Sequence, residues 1–177
     1  MLEFLLMLVI AFALVFGVVR PVVASPVYID SGSMEPTLHG CDGCNNDRLL
    51  INKFVYDFSE PKRGDIVLFE SLENPNDELI KRLIGLPGDT IALREGTLYL
   101  NGEPRDEPYV AKQPCISYLP KSCSFGPVTV PEDHFFMMGD NRAYSTDSRF
   151  FGAVPEENII GKAAVRFWPP SRMGLAG

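Results

Sequence analysis

The chain has 177 residues, of which 46% are hydrophobic and 22% charged, a balance that is typical of a globular protein rather than a disordered one. Its net charge of −7 argues against a nucleic-acid surface, because binding phosphate requires clustered lysines and arginines. Glycine and proline, 15 residues each, favour short strands and many turns over long helices. We therefore expect one β-rich domain, or two small lobes, without a nucleic-acid partner.

The N-terminal segment is apolar and long. Residues 4–19 carry no charge, and the segment continues through Arg20 to Ala24, which is long enough to span a bilayer with Arg20 snorkelling at one end. We therefore predict a transmembrane anchor over residues 1–24. The alternative is a cleaved signal peptide, but a basic n-region is missing and the one early charge is Glu3. Charge does not fix the orientation, because nothing basic precedes the segment.

Two serines separated by a glycine follow this segment. In an extended chain Ser31 and Ser33 point the same way, and Gly32 lets a substrate backbone approach closely because it has no Cβ. Pro36 stiffens the exit of the segment. Ser33 is therefore a candidate nucleophile, provided that a base reaches it. A polar turn between the anchor and the domain is the competing interpretation.

The four cysteines fall into two close pairs, Cys41 with Cys44 and Cys115 with Cys123. On the outer side of a membrane these pairs predict two local disulfides that brace loops. A zinc site made of the four thiolates is the second possibility, although the second pair is spaced more loosely than in a usual zinc knuckle. A redox role is weaker because no βαβ pattern surrounds the CxxC motif. We expect disulfides, and no metal or cofactor.

Beyond the anchor the hydrophobic pattern is that of β-strands separated by turns. Residues 103–131 are rich in proline and contain two cysteines, with weak periodicity, and are predicted to form a variable inserted lobe. The predicted strands lie at residues 48–54, 65–69, 78–85, 90–93, 97–100, 134–138 and 161–168.

A serine nucleophile needs a base, usually a histidine and sometimes a lysine. The two histidines, His39 and His134, lie in stretches without other polar chemistry at hand. Lys81 is the better candidate, because on a strand it shares one face with Leu79 and Leu83. Burial lowers a lysine pKa, and a fall of about two units, worth roughly 3 kcal/mol, brings the amine near neutrality. A snorkelling strand lysine is the ordinary alternative.

Four spaced motifs occur in a fixed order along the chain. They are residues 31–37 (SGSMEPT), 62–67 (KRGDIV), 81–89 (KRLIGLPGD) and 139–149 (GDNRAYSTDSR). Together they resemble the successive sequence boxes of type I (leader) signal peptidases, a Ser-Lys membrane-bound protease family. The resemblance extends from the anchor to about Ala164. It implies a mainly β fold of antiparallel sheets with few short helices, preceded by one transmembrane helix.

The resemblance also implies an activity. By motif position Ser33 is the nucleophile and Lys81 the general base, while the Ser31 hydroxyl and the Ser33 N–H form the oxyanion hole. The implied substrates are exported pre-proteins with small residues before the cut, and the implied partners are their signal peptides and membrane lipid. The catalytic domain, residues 25–177, is expected on the extracytoplasmic side of the cell membrane, with a thylakoid membrane as the alternative.

Three further residues receive supporting roles from the resemblance. Ser145 is expected to hydrogen-bond and orient the Lys81 amine. Asp147 and Arg149 are expected to pair and brace the loop that carries Ser145. The catalytic face is expected to be apolar and to lie against the membrane, with Met34 as a candidate for that face.

The sequence departs from the family pattern in two places. Asp30 stands where a proline is common, and residues 40–46, which contain the CxxC motif, are an insertion. Three other interpretations compete: a self-cleaving repressor with the same dyad, a catalytically dead membrane-tethered β domain that binds secreted partners, and a secreted β protein whose first segment is removed. The anchor and acidic composition count against the first, and the presence of Ser33, Lys81 and Ser145 counts against the second.

Overall fold

The computed structural model describes residues 2–14, 24–111, 121 and 123–176, and within them the fold is mainly β, as expected. The helices are α1 (Leu2–Leu14), α2 (Val55–Phe58) and α3 (Ser148–Phe151), with 3₁₀ turns at Gly32–Met34, Glu156–Asn158 and Pro170–Arg172. The strands are β1 (Ala24–Tyr28), β2 (Arg48–Asn52), β3 (Ile66–Glu70), β4 (Glu78–Gly85), β5 (Thr90–Arg94), β6 (Thr97–Leu100), β7 (Glu103–Arg105), β8 (Phe125–Thr129), β9 (His134–Met138), β10 (Val154–Pro155), β11 (Ile159–Trp168) and β12 (Gly174–Leu175).

The larger sheet has eight strands in the order β1-β2-β11-β3-β4-β9-β10, with β12 paired to β11, and its pairs are antiparallel. Its central strands are apolar on both faces. In β3, Ile66 and Leu68 pack into one hydrophobic cluster, while Val67 and Phe69 pack into another. This two-residue alternation between two covered faces explains why β3 reads as a continuous apolar run.

The smaller sheet has the order β7-β6-β5-β8 and packs against the larger one. Ile84 of β4 and Phe136 of β9 share a hydrophobic cluster with Ile91 and Leu100 of this sheet. The predicted inserted lobe, residues 103–131, contributes β7 and β8 to its two edges. Residues 112–120 and 122 of that segment lie outside the described residues.

The predicted anchor over residues 1–24 stays a prediction, because residues 1 and 15–23 lie outside the described part of the chain. Among the described residues no helix is both long and apolar enough to cross a membrane. Helix α1 has 13 residues, residues 15–23 lie outside the described part of the chain, and β1 begins at Ala24, the last residue of the predicted anchor.

Met34 was expected on an exposed apolar face, and that expectation is wrong. The Met34 side chain is fully buried in the cluster that contains Ile29, Leu38 and Ile80. The 3₁₀ turn that begins at Gly32 directs Met34 into the core, so this residue anchors the serine segment instead of facing a membrane.

Candidate active site

The segment that carries the two serines lies directly after β1. Ser31 is extended, with φ −126° and ψ 149°, and Ser33 lies in the following 3₁₀ turn. Although the chain is not extended throughout, the two hydroxyl oxygens are 3.2 Å apart. Ser33 is buried and Ser31 is exposed, so the pair lies where the interior meets the surface.

Lys81 reaches Ser33 from the middle of β4. Its Nζ lies 2.8 Å from Ser33 Oγ, and the lysine is 4% exposed. Burial lowers the pKa of Lys81 to about 8, although the carboxylates of Asp147, Asp140 and Asp30 act in the opposite direction. Within the described residues Lys81 forms no ion pair at salt-bridge distance.

The segment after β9 holds the serine turn by its backbone. Asn141 donates its backbone N–H to Ser33 O at 3.0 Å and its side-chain amide to Gly32 O at 2.9 Å. A Cβ on Gly139 would lie 2.5 Å from Ser33 O and 2.3 Å from Ser145 Oγ. Only glycine therefore permits this close approach. Sequence reasoning placed Asn141 inside a motif but gave it no role.

Ser145 does not make the hydrogen bond expected of it. Its side chain is fully buried, yet its hydroxyl has no hydrogen-bond partner among the residues that the structure describes. The Lys81 amine instead points to Ser33. The Ser145 hydroxyl still lies near the serine turn, since Gly139 is in close contact with both Ser145 Oγ and Ser33 O.

Asp147 and Arg149 are brought together as a buried pair. Arg149 Nε donates to Asp147 Oδ1 at 2.8 Å and its Nη2 to Oδ2 at 2.8 Å, and both side chains are fully buried. Asp147 also accepts from the backbone N–H of Gly139 at 2.9 Å, and Arg149 donates to Ser145 O at 3.2 Å. The pair thus connects the two ends of the loop that carries Ser145.

A second buried pair was missed by sequence reasoning. Arg82, next to Lys81 on β4, donates Nε to Asp140 Oδ1 at 2.8 Å and Nη2 to Asp140 Oδ2 at 2.7 Å. Its Nη1 donates to Gly64 O at 2.8 Å, and its guanidinium lies 4.1 Å from the Tyr109 ring centroid. Thr37 completes the site by donating its hydroxyl to Asp140 at 2.5 Å. Each of the four motifs contributes one residue to this network: Thr37, Gly64, Arg82 and Asp140. Their membership in the motifs is the sequence feature that could have indicated the network.

The histidines lie elsewhere. His39 Nδ1 contacts the Glu35 carboxylate, and His134 Nδ1 lies 2.7 Å from the Glu132 carbonyl oxygen. Within the described residues neither ring hydrogen-bonds to Ser33, so Lys81 is the base candidate that the fold brings to the serine.

The prediction of a disulfide between Cys41 and Cys44 is confirmed. Cys41 and Cys44 form a disulfide, and Cys123 is disulfide-bonded as well. Cys115 lies outside the described residues.

Comparison with known proteins gives a consistent result. The family model described as "Signal peptidase, peptidase S26" matches residues 1–168. Signal peptidase I of Leptolyngbya laminosa is 45% identical over 166 residues, covering 90% of this chain and 76% of that protein. The "Probable signal peptidase I-2" of Synechocystis is 44% identical over 173 residues, covering 95% and 73%. The crystal structure of a signal peptidase I from Enterococcus faecalis matches with a TM-score of 0.51 at 36% identity, covering 60% of this chain and 98% of that one.

Proposed function

Because the chain belongs to the signal peptidase family, peptidase S26, and is a peptidase of that family, we propose that it is a membrane-anchored serine endopeptidase that cleaves signal peptides from exported pre-proteins. The observation that carries the proposal is the 2.8 Å contact between Lys81 Nζ and Ser33 Oγ in a buried setting. A nucleophile and a base within hydrogen-bond reach are the minimum for covalent catalysis.

Lys81 acts as the general base. As an ammonium group it donates a hydrogen bond to Ser33 Oγ, and once neutral it offers a lone pair at the same position. A pKa of about 8 makes the neutral form accessible near physiological pH. The Ser33 oxygen then attacks the scissile carbonyl, and its proton passes to Lys81. The protonated Lys81 gives this proton to the leaving amine as the scissile C–N bond breaks, so that the mature chain departs with a free N-terminus and an acyl-enzyme remains at Ser33. Water then hydrolyses the acyl-enzyme by the same proton route.

Ser31 supplies the oxyanion donor together with the Ser33 backbone N–H. Its hydroxyl is 3.2 Å from Ser33 Oγ, and the side chain is exposed, on the side from which a substrate chain approaches. A hydroxyl in this position can rotate to donate to the oxygen on which negative charge develops.

Ser145, Asp147 and Arg149 hold the base side of the site. The buried Asp147–Arg149 pair fixes the loop. The Ser145 hydroxyl, which has no hydrogen-bond partner among the described residues, is available to the Lys81 amine when the amine moves toward the substrate. A buried hydroxyl without a partner costs about 1–3 kcal/mol, which favours such a partner in the working enzyme.

An exposed apolar row supports a surface that meets the membrane. Pro26, Leu50, Val165 and Leu175 are exposed and lie side by side across β1, β2, β11 and β12, since each is the register partner of the next. The row starts at Pro26 in β1, the edge strand that begins at Ala24, where the proposed anchor over residues 1–24 ends. The catalytic domain therefore lies against the extracytoplasmic face of the cell membrane, or of a thylakoid membrane.

The decisive experiment is cleavage of a precursor with small residues before the cut, an Ala-x-Ala signal peptide, by the full chain in lipid vesicles. Ser33→Ala and Lys81→Ala each abolish cleavage, because one removes the nucleophile and the other the base. The matched controls are Ser59→Ala and Lys62→Ala, which change exposed residues and leave the rate unaltered.

Two outcomes would contradict the proposal. Full activity of Lys81→Ala with loss of activity in His134→Ala would transfer the base to a histidine. Absence of cleavage by the wild-type chain, with tight binding of the precursor, would favour the catalytically dead binding domain.

A further inference from the structure

The inserted loop between the serine segment and β2 gathers three metal-binding side chains. The ligand atoms of His39, Cys41 and Cys44 all lie within 4.8 Å of one another, and Cys41 Sγ is 3.9 Å from His39 Nε2. We propose that reduction of the Cys41–Cys44 disulfide converts this loop into a Zn²⁺ site formed by these three residues. The site is separate from the Ser33–Lys81 pair and is independent of the proposed function.

The geometry needs little change to accept the ion. Zinc at about 2.3 Å from sulfur and about 2.0 Å from nitrogen, in tetrahedral arrangement, separates S from N by roughly 3.6 Å. The observed 3.9 Å between Cys41 Sγ and His39 Nε2 is close to that value. The two sulfurs must move apart once they are no longer bonded, and the turn between them is open, since a Cβ at Gly43 would meet nothing within 4 Å.

The imidazole is already oriented for coordination. His39 Nδ1 contacts the Glu35 carboxylate, so Nε2 is the nitrogen that faces the cysteines. A carboxylate behind a ligating histidine fixes its tautomer and raises its basicity, which is the usual arrangement at zinc sites. Asn46 accepts the Cys41 N–H at 3.0 Å and donates to Tyr28 Oη at 2.7 Å, so the loop is tied to β1 at the same point.

The chemistry of the switch is balanced by a dithiol reductant. Two electrons and two protons pass from the dithiol, which becomes a disulfide, to the Cys41–Cys44 bond, which becomes two thiols. Zinc then displaces the two thiol protons, and the two thiolates neutralise its charge while neutral His39 supplies the third ligand. The oxidised loop has no thiolate to offer, so the same two sulfurs hold either each other or the metal.

The test is a Co²⁺ titration of the full chain after reduction by a dithiol, which is then removed under anaerobic conditions. We expect a thiolate-to-cobalt absorption band that saturates at one equivalent and disappears when Zn²⁺ is added. The oxidised chain gives no band. Cys41→Ser/Cys44→Ser abolishes binding, and His39→Ala weakens it more than tenfold.

The matched control is Cys115→Ser/Cys123→Ser, which keeps the proposed ligands and retains the band. Loss of the band in this variant would identify a site of four thiolates and overturn the proposal, as would a reduced wild-type chain without a band. The melting temperature of oxidised His39→Ala, expected to equal that of the wild type, excludes unfolding as the cause of weak binding. The cobalt titration contains no precursor, so metal binding and precursor cleavage are measured in separate assays. Metal binding without cleavage would contradict the proposed function alone, and cleavage without metal binding would contradict this inference alone.

Discussion

Two adjacent cations on β4 are buried in different ways. Lys81 is 4% exposed and Arg82 6%. The lysine amine is hydrogen-bonded to the Ser33 hydroxyl, whereas the arginine forms a bidentate salt bridge with the Asp140 carboxylate. Arg82 also contacts Gly64 O and the Tyr109 ring. On the face of β4 that carries Arg82, a carboxylate neutralises the buried charge. On the face that carries Lys81, no carboxylate lies at salt-bridge distance among the described residues.

This difference separates support from reactivity. A buried charge with a carboxylate partner is compensated, so Arg82 connects four segments of the chain as a permanently charged group. A buried amine without such a partner is most stable when neutral, and burial accordingly lowers the pKa of Lys81 to about 8. The lowered pKa that the proposed base role requires therefore goes with the lack of a carboxylate partner for Lys81 at salt-bridge distance among the described residues.

The largest expected effect comes from removing the unpaired cation. Lys81→Met should reduce precursor cleavage by at least about 10³-fold, because among the described residues Lys81 alone places a basic side chain within hydrogen-bond distance of Ser33 Oγ. The same change should leave thermal stability at pH 7 unchanged or raised, since burying the ammonium form costs about 3 kcal/mol. Cleavage rates and melting temperatures of Lys81→Met and exposed Lys62→Met test both points. A less stable but active Lys81→Met protein would refute the comparison.

Removing the paired cation should have the opposite pattern. Arg82→Met leaves Asp140 buried without its partner and should destabilise the fold by about 3–5 kcal/mol. Urea unfolding of Arg82→Met and of the double variant Arg82→Met/Asp140→Leu measures the effect, and the double variant should recover part of the loss. If Arg82→Met unfolds at the wild-type urea concentration, the pair is not a structural support.

Ser31→Ala tests whether the exposed neighbour of Ser33 acts only in catalysis. We expect kcat to fall by about 10²–10³-fold, the usual cost of one oxyanion donor, with KM and melting temperature nearly unchanged. Steady-state kinetics on the Ala-x-Ala precursor provides the measurement. An unchanged kcat would assign the oxyanion to other donors.

The pH dependence provides the finest comparison. In the proposed mechanism the neutral Lys81 amine is the active form, so kcat/KM should rise about tenfold per pH unit below pH 8 and level off above it. For stability, the folded pKa lies below the ordinary 10.5, so the unfolded chain holds more protons between about pH 8 and 10.5. The Lys81 penalty is therefore complete below about pH 8 and vanishes as the pH rises through 10.5. A flat rate between about pH 6 and 9 would contradict the lowered pKa.

Local patterns predicted the long elements well, because their signals are contained in their own residues. The predicted strand at 78–85 is β4 to the residue, and that at 134–138 is β9. The two-residue strands β10 and β12 have no pattern of their own and exist because longer neighbours offer them a ladder.

Long-range geometry limited the prediction of the site. The Ser33–Lys81 contact followed from the order of motifs and a buried strand position. The Arg82–Asp140 pair joins residues 58 apart, so neither residue signals its partner locally. The expected Ser145 hydrogen bond, which was carried over by motif position from the resemblance, is not seen among the described residues, because the orientation of a buried hydroxyl depends on the surrounding atoms and not on its place in a motif.

The two groups proposed to react, Ser33 and Lys81, lie 48 residues apart, on elements that meet only when the larger sheet has formed. The serine turn contributes only Ser33 and β4 only Lys81. The two hydrogen bonds from Asn141 that hold the serine turn come from a third region, still later in the chain. Under the proposed mechanism, a nascent polypeptide whose larger sheet has not yet formed lacks the Ser33–Lys81 pair and does not cleave other proteins. We therefore expect precursor cleavage to require the completed fold, so that the turnover measured in a sample reports the fraction of correctly folded protein.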